Sequence, residues 1–180
     1  MKILISGAQG TGKSTLNRNL LKRFPEFISL DNLSAKFLKS KEDLKDPELL
    51  RKFQAEVSTY CFYKYLWTDN YISSRSLADA YAYNKFSYLN TNDNRYKIFM
   101  DLSLDLARDF DNPECVNIFI PKMFKPKSEL LRSGNEEFQD TIDSFIKEFN
   151  TLSGLEIYTV KSNDINERVE EVSKYIKTRL

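Results

Sequence analysis

The chain has 180 residues, 41% hydrophobic and 29% charged, with 27 basic against 26 acidic side chains. That is enough for one compact domain with one core, and a net charge of +1 disfavours a surface devoted to the nucleic-acid backbone. No apolar run approaches the roughly 20 residues that span a bilayer, and the short one after Met1 does not read as a signal peptide. The chain has no histidine, which excludes histidine triads and histidine metal sites and leaves acid–base work to carboxylates and lysine.

In chain order, KILIS (2–6) reads as a buried strand ended by Gly7. A helix is expected over 13–23, closed by Pro25, then a strand at FISL (27–30) and a short amphipathic helix at 32–40. A long helix follows from about Pro47 to Trp67, its apolar face carried by Leu49, Leu50, Phe53, Val57, Tyr60 and Cys61. NYIS (70–73) is a third strand, followed by helices at 76–88 and 92–110 and a fourth strand, CVNIFI (115–120), ending at Pro121. After a basic stretch come a helix at 135–151, a strand LEIYTV (155–160) and a last helix with Ile165, Val169, Val172 and Ile176 on one face. Short apolar strands alternating with helices predict a parallel sheet covered on both faces. The expected fold is α/β, a three-layer α/β/α domain with a five-stranded parallel sheet over residues 1–180. Its ligands should gather at the carboxyl ends of the strands.

Gly7-Ala8-Gln9-Gly10-Thr11-Gly12-Lys13-Ser14 satisfies G-x-x-x-x-G-K-[ST] between a predicted strand and a predicted helix, and three of the five glycines in the chain lie within it. Glycines let successive N–H groups turn inward around phosphates. Lys13 can reach the β- and γ-phosphates, Ser14 can hold Mg²⁺, and the helix beginning here offers its positive end. Gly7, Gln9, Gly10, Thr11, Gly12, Lys13, Ser14 and Thr15 are therefore the expected nucleotide-binding residues, with Lys13 also catalytic. This is the phosphate loop of a P-loop NTPase fold.

No strand ends in the acidic pair of a large ATPase, since NIFIPK runs into Pro121 and Lys122. Nor does Asn84-Lys85-Phe86-Ser87 match the N-K-x-D of a GTPase. A small kinase remains. The succession ISGAQGTGKST, ISLDNLSAKFL, FQAEV, YISSRSLADAYAY and ELLRSGNEEFQDTID resembles, over most of the chain, the small P-loop kinases related to the nicotinamide riboside kinase domain and, more distantly, deoxynucleoside kinases. The resemblance implies an acid closing the second strand, here Asp31. It implies a D-R-S element closing the third, here Ser74-Arg75-Ser76, and an arginine in a lid at about 121–135, here Arg132. Ser74 departs from the usual aspartate, and Ser34 stands where arginine is frequent.

The residues admit plainer readings as well. Asp31 can act as base toward an attacking hydroxyl, or cap the helix after it. Arg75 can neutralise phosphoryl charge, or form a structural ion pair. Arg132 can close over nucleotide, or belong to a solvated basic loop. Gln54 can face the acceptor or the solvent. Tyr81, Tyr83 and Phe86 can stack on a planar acceptor or fill the core, and Asp79 can assist Asp31. Cys61 and Cys115 read as buried packing residues of a protein in a reducing, cytoplasmic setting. Together these features lead us to expect an ATP- and Mg²⁺-dependent kinase acting on a nucleoside, nucleotide or related small molecule. Two other classes compete with it: a nucleotide-binding regulatory or ATPase module without transfer, and a kinase acting on a modified base in DNA.

Overall fold

Each apolar run of the chain is too short to bury itself, and the structure, a computed structural model describing residues 1–29, 46–109, 114–123 and 136–180, stacks them side by side. The strands are β1 (Lys2–Ser6), β2 (Ile28–Ser29), β3 (Tyr71–Ser73), β4 (Cys115–Phe119) and β5 (Ile157–Thr159). They form one sheet in the order β2-β3-β1-β4-β5, every pairing parallel. The helices among the described residues are α1 (Lys13–Arg23), α2 (Pro47–Trp67), α3 (Leu77–Thr91), α4 (Asn94–Asp109), α5 (Glu136–Ser153) and α6 (Ile165–Lys177). The expected α/β architecture is the observed one. No helix of the described residues is long and apolar enough to cross a membrane.

β1 is central, so both its faces must be covered, and all five of its residues are buried. Ile3 and Ile5 point to one side with Ile72, Val116 and Ile118, where Leu16 and Leu20 of α1 and Val169, Val172 and Ile176 of α6 close over them. Leu4, Tyr71, Cys115 and Phe119 point to the other, against α2, α3, α4 and α5. The period of two along each strand thus divides the apolar side chains between two cores. Register locks the first of these: Ile3 lies opposite Ile72 and Val116, and Ile5 opposite Ile118.

Helix starts follow local chemistry. Asp46 accepts the Glu48 and Leu49 N–H groups at 2.9 and 3.1 Å, with Pro47 in the first turn of α2. Ser76 is the cap of α3 rather than its first residue, which moves the expected start from 76 to 77. The helix runs on to Thr91, where Asn92 adopts φ +53°. Asp93 accepts the Arg95 N–H and delays α4 to Asn94. The edge strand β5 covers 157–159 rather than the expected 155–160, and β2 begins at Ile28 rather than Phe27. The expected helix at 32–40 and most of the expected lid, 124–135, lie outside the described residues.

Ile118, in β4 opposite Ile5 of β1, is fully buried. Ile118→Ala is expected to lower unfolding free energy by about 2–5 kcal/mol in urea titration, whereas Ile98→Ala, on the exposed face of α4, should change it by about 0.5 kcal/mol or less.

Candidate active site

Between β1 and α1 the backbone turns back on itself. Gly7, Gly10 and Gly12 have φ of +151°, +81° and +97°. At Gly7 the constraint is steric as well, since a Cβ there would lie 2.6 Å from the Ile120 carbonyl oxygen and 2.8 Å from Thr11 Oγ1. Gly12 is the N-cap of α1 and offers no side chain to the first-turn N–H groups, and that turn contains no acid. A helix end left open and free of negative charge is suited to an anion.

Three side chains brace the loop. Thr11 Oγ1 donates to the Ala8 carbonyl at 2.9 Å. Gln139, in the first turns of α5, donates through Nε2 to the Gln9 carbonyl at 2.8 Å. Arg168 of α6 donates through Nη1 to the Thr11 carbonyl at 2.8 Å, through Nε to the Ser162 carbonyl at 2.7 Å, and through Nη2 to Met123 Sδ at 3.0 Å. Burial lowers the Arg168 pKa, against the opposing pull of Glu171 and Asp164. Sequence reasoning missed Gln139 and Arg168. Their signal was polarity inside an apolar stripe: Gln139 shares its face with Ile142 and Ile146, and Arg168 stands beside Val169 and Val172.

Lys13 stands at a loop–helix junction, yet its side chain is only 10% exposed. Its ammonium donates to the carbonyls of Gly7 and Ala8, the latter at 3.0 Å, and lies 3.5 Å from Asp79 Oδ1. Asp79 is 1% exposed. Its Oδ2 accepts from the Ser76 N–H at 3.1 Å and the Ser76 hydroxyl at 2.9 Å, in a reciprocal capping box that opens α3. Its Oδ1 accepts no hydrogen bond among the described residues. The carboxylate therefore has one oxygen committed to the helix and the other turned to Lys13.

Arg75 lies two residues past the end of β3, its N–H donating to Ser73 Oγ at 3.1 Å and its guanidinium 5.5 Å from the Tyr83 ring centroid. Burial works to lower its pKa, but the facing Tyr83 and Asp79 more than offset this and hold it charged. The Tyr83 phenol is pushed up by burial and pulled back by Arg75 and by the Gln9 backbone, so this ring links the phosphate loop to the end of β3. Ser74, where the resemblance implied an aspartate, is buried.

The loop residues Gly7 through Thr15 and Arg75 thus come together at the carboxyl ends of β1 and β3, with Ser14 exposed at the rim. Asp31, Ser34 and Arg132 lie outside the described residues. Of the aromatics, Tyr81 belongs to the core, tilted on Phe149 with its hydroxyl 2.8 Å from Glu148. Phe86 meets Phe138 edge-on at 4.7 Å, and Tyr83 alone of the three reaches the loop. Gln54 is half-buried on α2. Cys61 and Cys115 are free and buried, and burial pushes their thiols up to about 12 and about 11, which leaves both unreactive.

No family model and no curated protein sequence matches the chain. Its structure is similar to that of deoxyadenosine kinase from M. mycoides with bound dATP, with a TM-score of 0.74 and 21% identity over 98% of this chain and all of that one. Thymidylate kinase from Candida albicans gives 0.59 and 18%, over 98% of this chain and 91% of that one. The NadR protein in complex with NR gives 0.62 and 13%, over 97% of this chain and 51% of that one. At these identities the likeness establishes the fold, which is that of the P-loop kinases.

Because a Cβ at Gly7 would strike backbone, Gly7→Ala is expected to destabilise the protein by about 1–3 kcal/mol. Chemical denaturation measures the loss.

Proposed function

We propose that the chain is a kinase that transfers the γ-phosphate of ATP to a nucleoside, a nucleotide or a related small molecule. The observation that carries this reading is the braced glycine loop opening onto an uncapped, acid-free helix end, with Lys13 folded into it. Loop N–H groups would hold the triphosphate, and Lys13 would move from the Gly7 and Ala8 carbonyls to the β- and γ-phosphates. Arg75, whose pKa is held up by Tyr83 and Asp79, would neutralise charge on the transferring group. From the sequence pattern, Asp31 would receive the acceptor proton and Arg132, in a lid at about 121–135, would close over the nucleotide. The whole chain would then work as one kinase domain.

The donor set suits Mg²⁺ that arrives on phosphates. Among the described residues no group of three histidine, cysteine or acidic side chains could hold a metal alone, whereas Ser14 presents an exposed hydroxyl in the first turn of α1. Mg²⁺ characteristically takes one or two protein ligands and fills the remainder with phosphate oxygens and water. When bound, it would neutralise charge developing between the β- and γ-phosphates.

A nucleoside or nucleotide acceptor is supported by one neighbour, deoxyadenosine kinase, whose structures hold dATP, dCTP or dCMP. Two free thiols fit a cytoplasmic setting. One observation favours a second reading, a nucleotide-binding module without transfer: Ser74 stands where the resembling kinases carry a carboxylate.

A transfer screen with γ-labelled ATP and GTP against nucleosides, nucleoside monophosphates and nicotinamide riboside distinguishes the two. Transfer to at least one acceptor is expected. Nucleotide binding without transfer to any acceptor would support the second reading. Lys13→Ala would strand the buried Asp79 charge and confound folding with function, so Lys13→Arg is the informative variant. It keeps the charge but not the compact ammonium, and should lower transfer by about 10²-fold or more.

A further inference from the structure

The Lys13–Asp79 pair has an electrostatic consequence for the ligand. Asp79 is fixed by its capping box, is 1% exposed, and turns Oδ1 toward the Lys13 ammonium at 3.5 Å. It also acts on Arg75 and on Tyr83, raising the pKa of both. The Asp79 carboxylate therefore sits directly behind the Lys13 ammonium. A phosphate taken up by Lys13 would lie one ammonium away from it, with little water between.

We propose that Asp79 is a specificity-determining residue that favours metal-bound polyphosphate over free polyphosphate. The proposal rests on the phosphate-loop reading above. A metal-free triphosphate brings its full negative charge against Lys13 and Arg75, and Asp79 repels it through Lys13. A metal-bound triphosphate carries two fewer negative charges and is repelled less. Asp79 thus weakens the wrong form of the ligand, discrimination through an unfavourable contact. Ser74 makes the role specific to this chain. Ser74 supplies no carboxylate at the end of β3, whereas Asp79 faces Lys13 at 3.5 Å.

Calorimetric titration of the full chain with inorganic tripolyphosphate and with ADP, each with and without Mg²⁺, tests this without any turnover. In the unaltered protein both ligands should bind more tightly with Mg²⁺. Asp79→Asn keeps an oxygen for the Ser76 N–H and removes the charge. It should raise metal-free affinity about tenfold or more, the scale of one partly screened unit charge at close range, while metal-bound affinity changes by about threefold or less. Asp79→Ser, also able to accept at the capping position, should give the same shift if the asparagine variant folds poorly. Asp79→Glu should keep the original preference. Ser76→Ala separates the charge from the helix cap, and it should lower Tm while leaving the ratio of the two affinities unchanged. Unchanged or weaker metal-free binding in both Asp79→Asn and Asp79→Ser would overturn the proposal and leave the phosphate-loop reading standing. Failure of the unaltered protein to bind either ligand under any condition would overturn both.

Discussion

The structure depends on a backbone that must turn back on itself between Gly7 and Lys13. Left-handed conformations at Gly10 and Gly12 make the turn possible, and an unbranched backbone at Gly7 lets the Ile120 carbonyl come close. The carbonyls of such a segment need donors. Thr11, within the loop, supplies one for Ala8, and distant helices supply the others: Gln139 for Gln9, and Arg168 for Thr11. α5 and α6, far away in sequence, are thereby drawn to one loop. The parallel sheet makes this convergence possible by bringing the carboxyl ends of β1, β3 and β4 to the same edge.

Charge is the second constraint. Lys13 and Arg75 are held in sparingly hydrated surroundings, where unpaired cations are costly. Asp79 offsets both, and the capping box fixes its position before any ligand arrives. A residue that begins a helix therefore also sets the field of the loop. This double use links the folding of α3 to the electrostatics of the site.

The fold was legible because its signals are local. KILIS and CVNIFI are apolar runs of strand length, and the long helix carries its capping aspartate and proline in sequence. The phosphate loop was legible because its glycines and lysine have fixed spacing. The braces were not, since Gln139 and Arg168 reach the loop from more than a hundred residues away and no local pattern assigns them a partner. The burial of Lys13 was not legible for the same reason. Exposure at a loop–helix junction is the sensible local expectation, and only the approach of α3 turns it into a buried ion pair. Tyr83 and Tyr81 illustrate the same point. They lie two residues apart in one helix, yet one turns to the loop and the other into the core.

The central claim is that backbone N–H groups of the loop take up phosphate. Backbone amide resonances followed by NMR during titration with Mg²⁺ and ADP test it most directly. The account predicts that the largest shifts fall on Gly10, Thr11, Gly12, Lys13 and Ser14, with smaller ones at Arg75 and Arg168. Saturable binding that leaves the loop amides unmoved and shifts resonances elsewhere would contradict it.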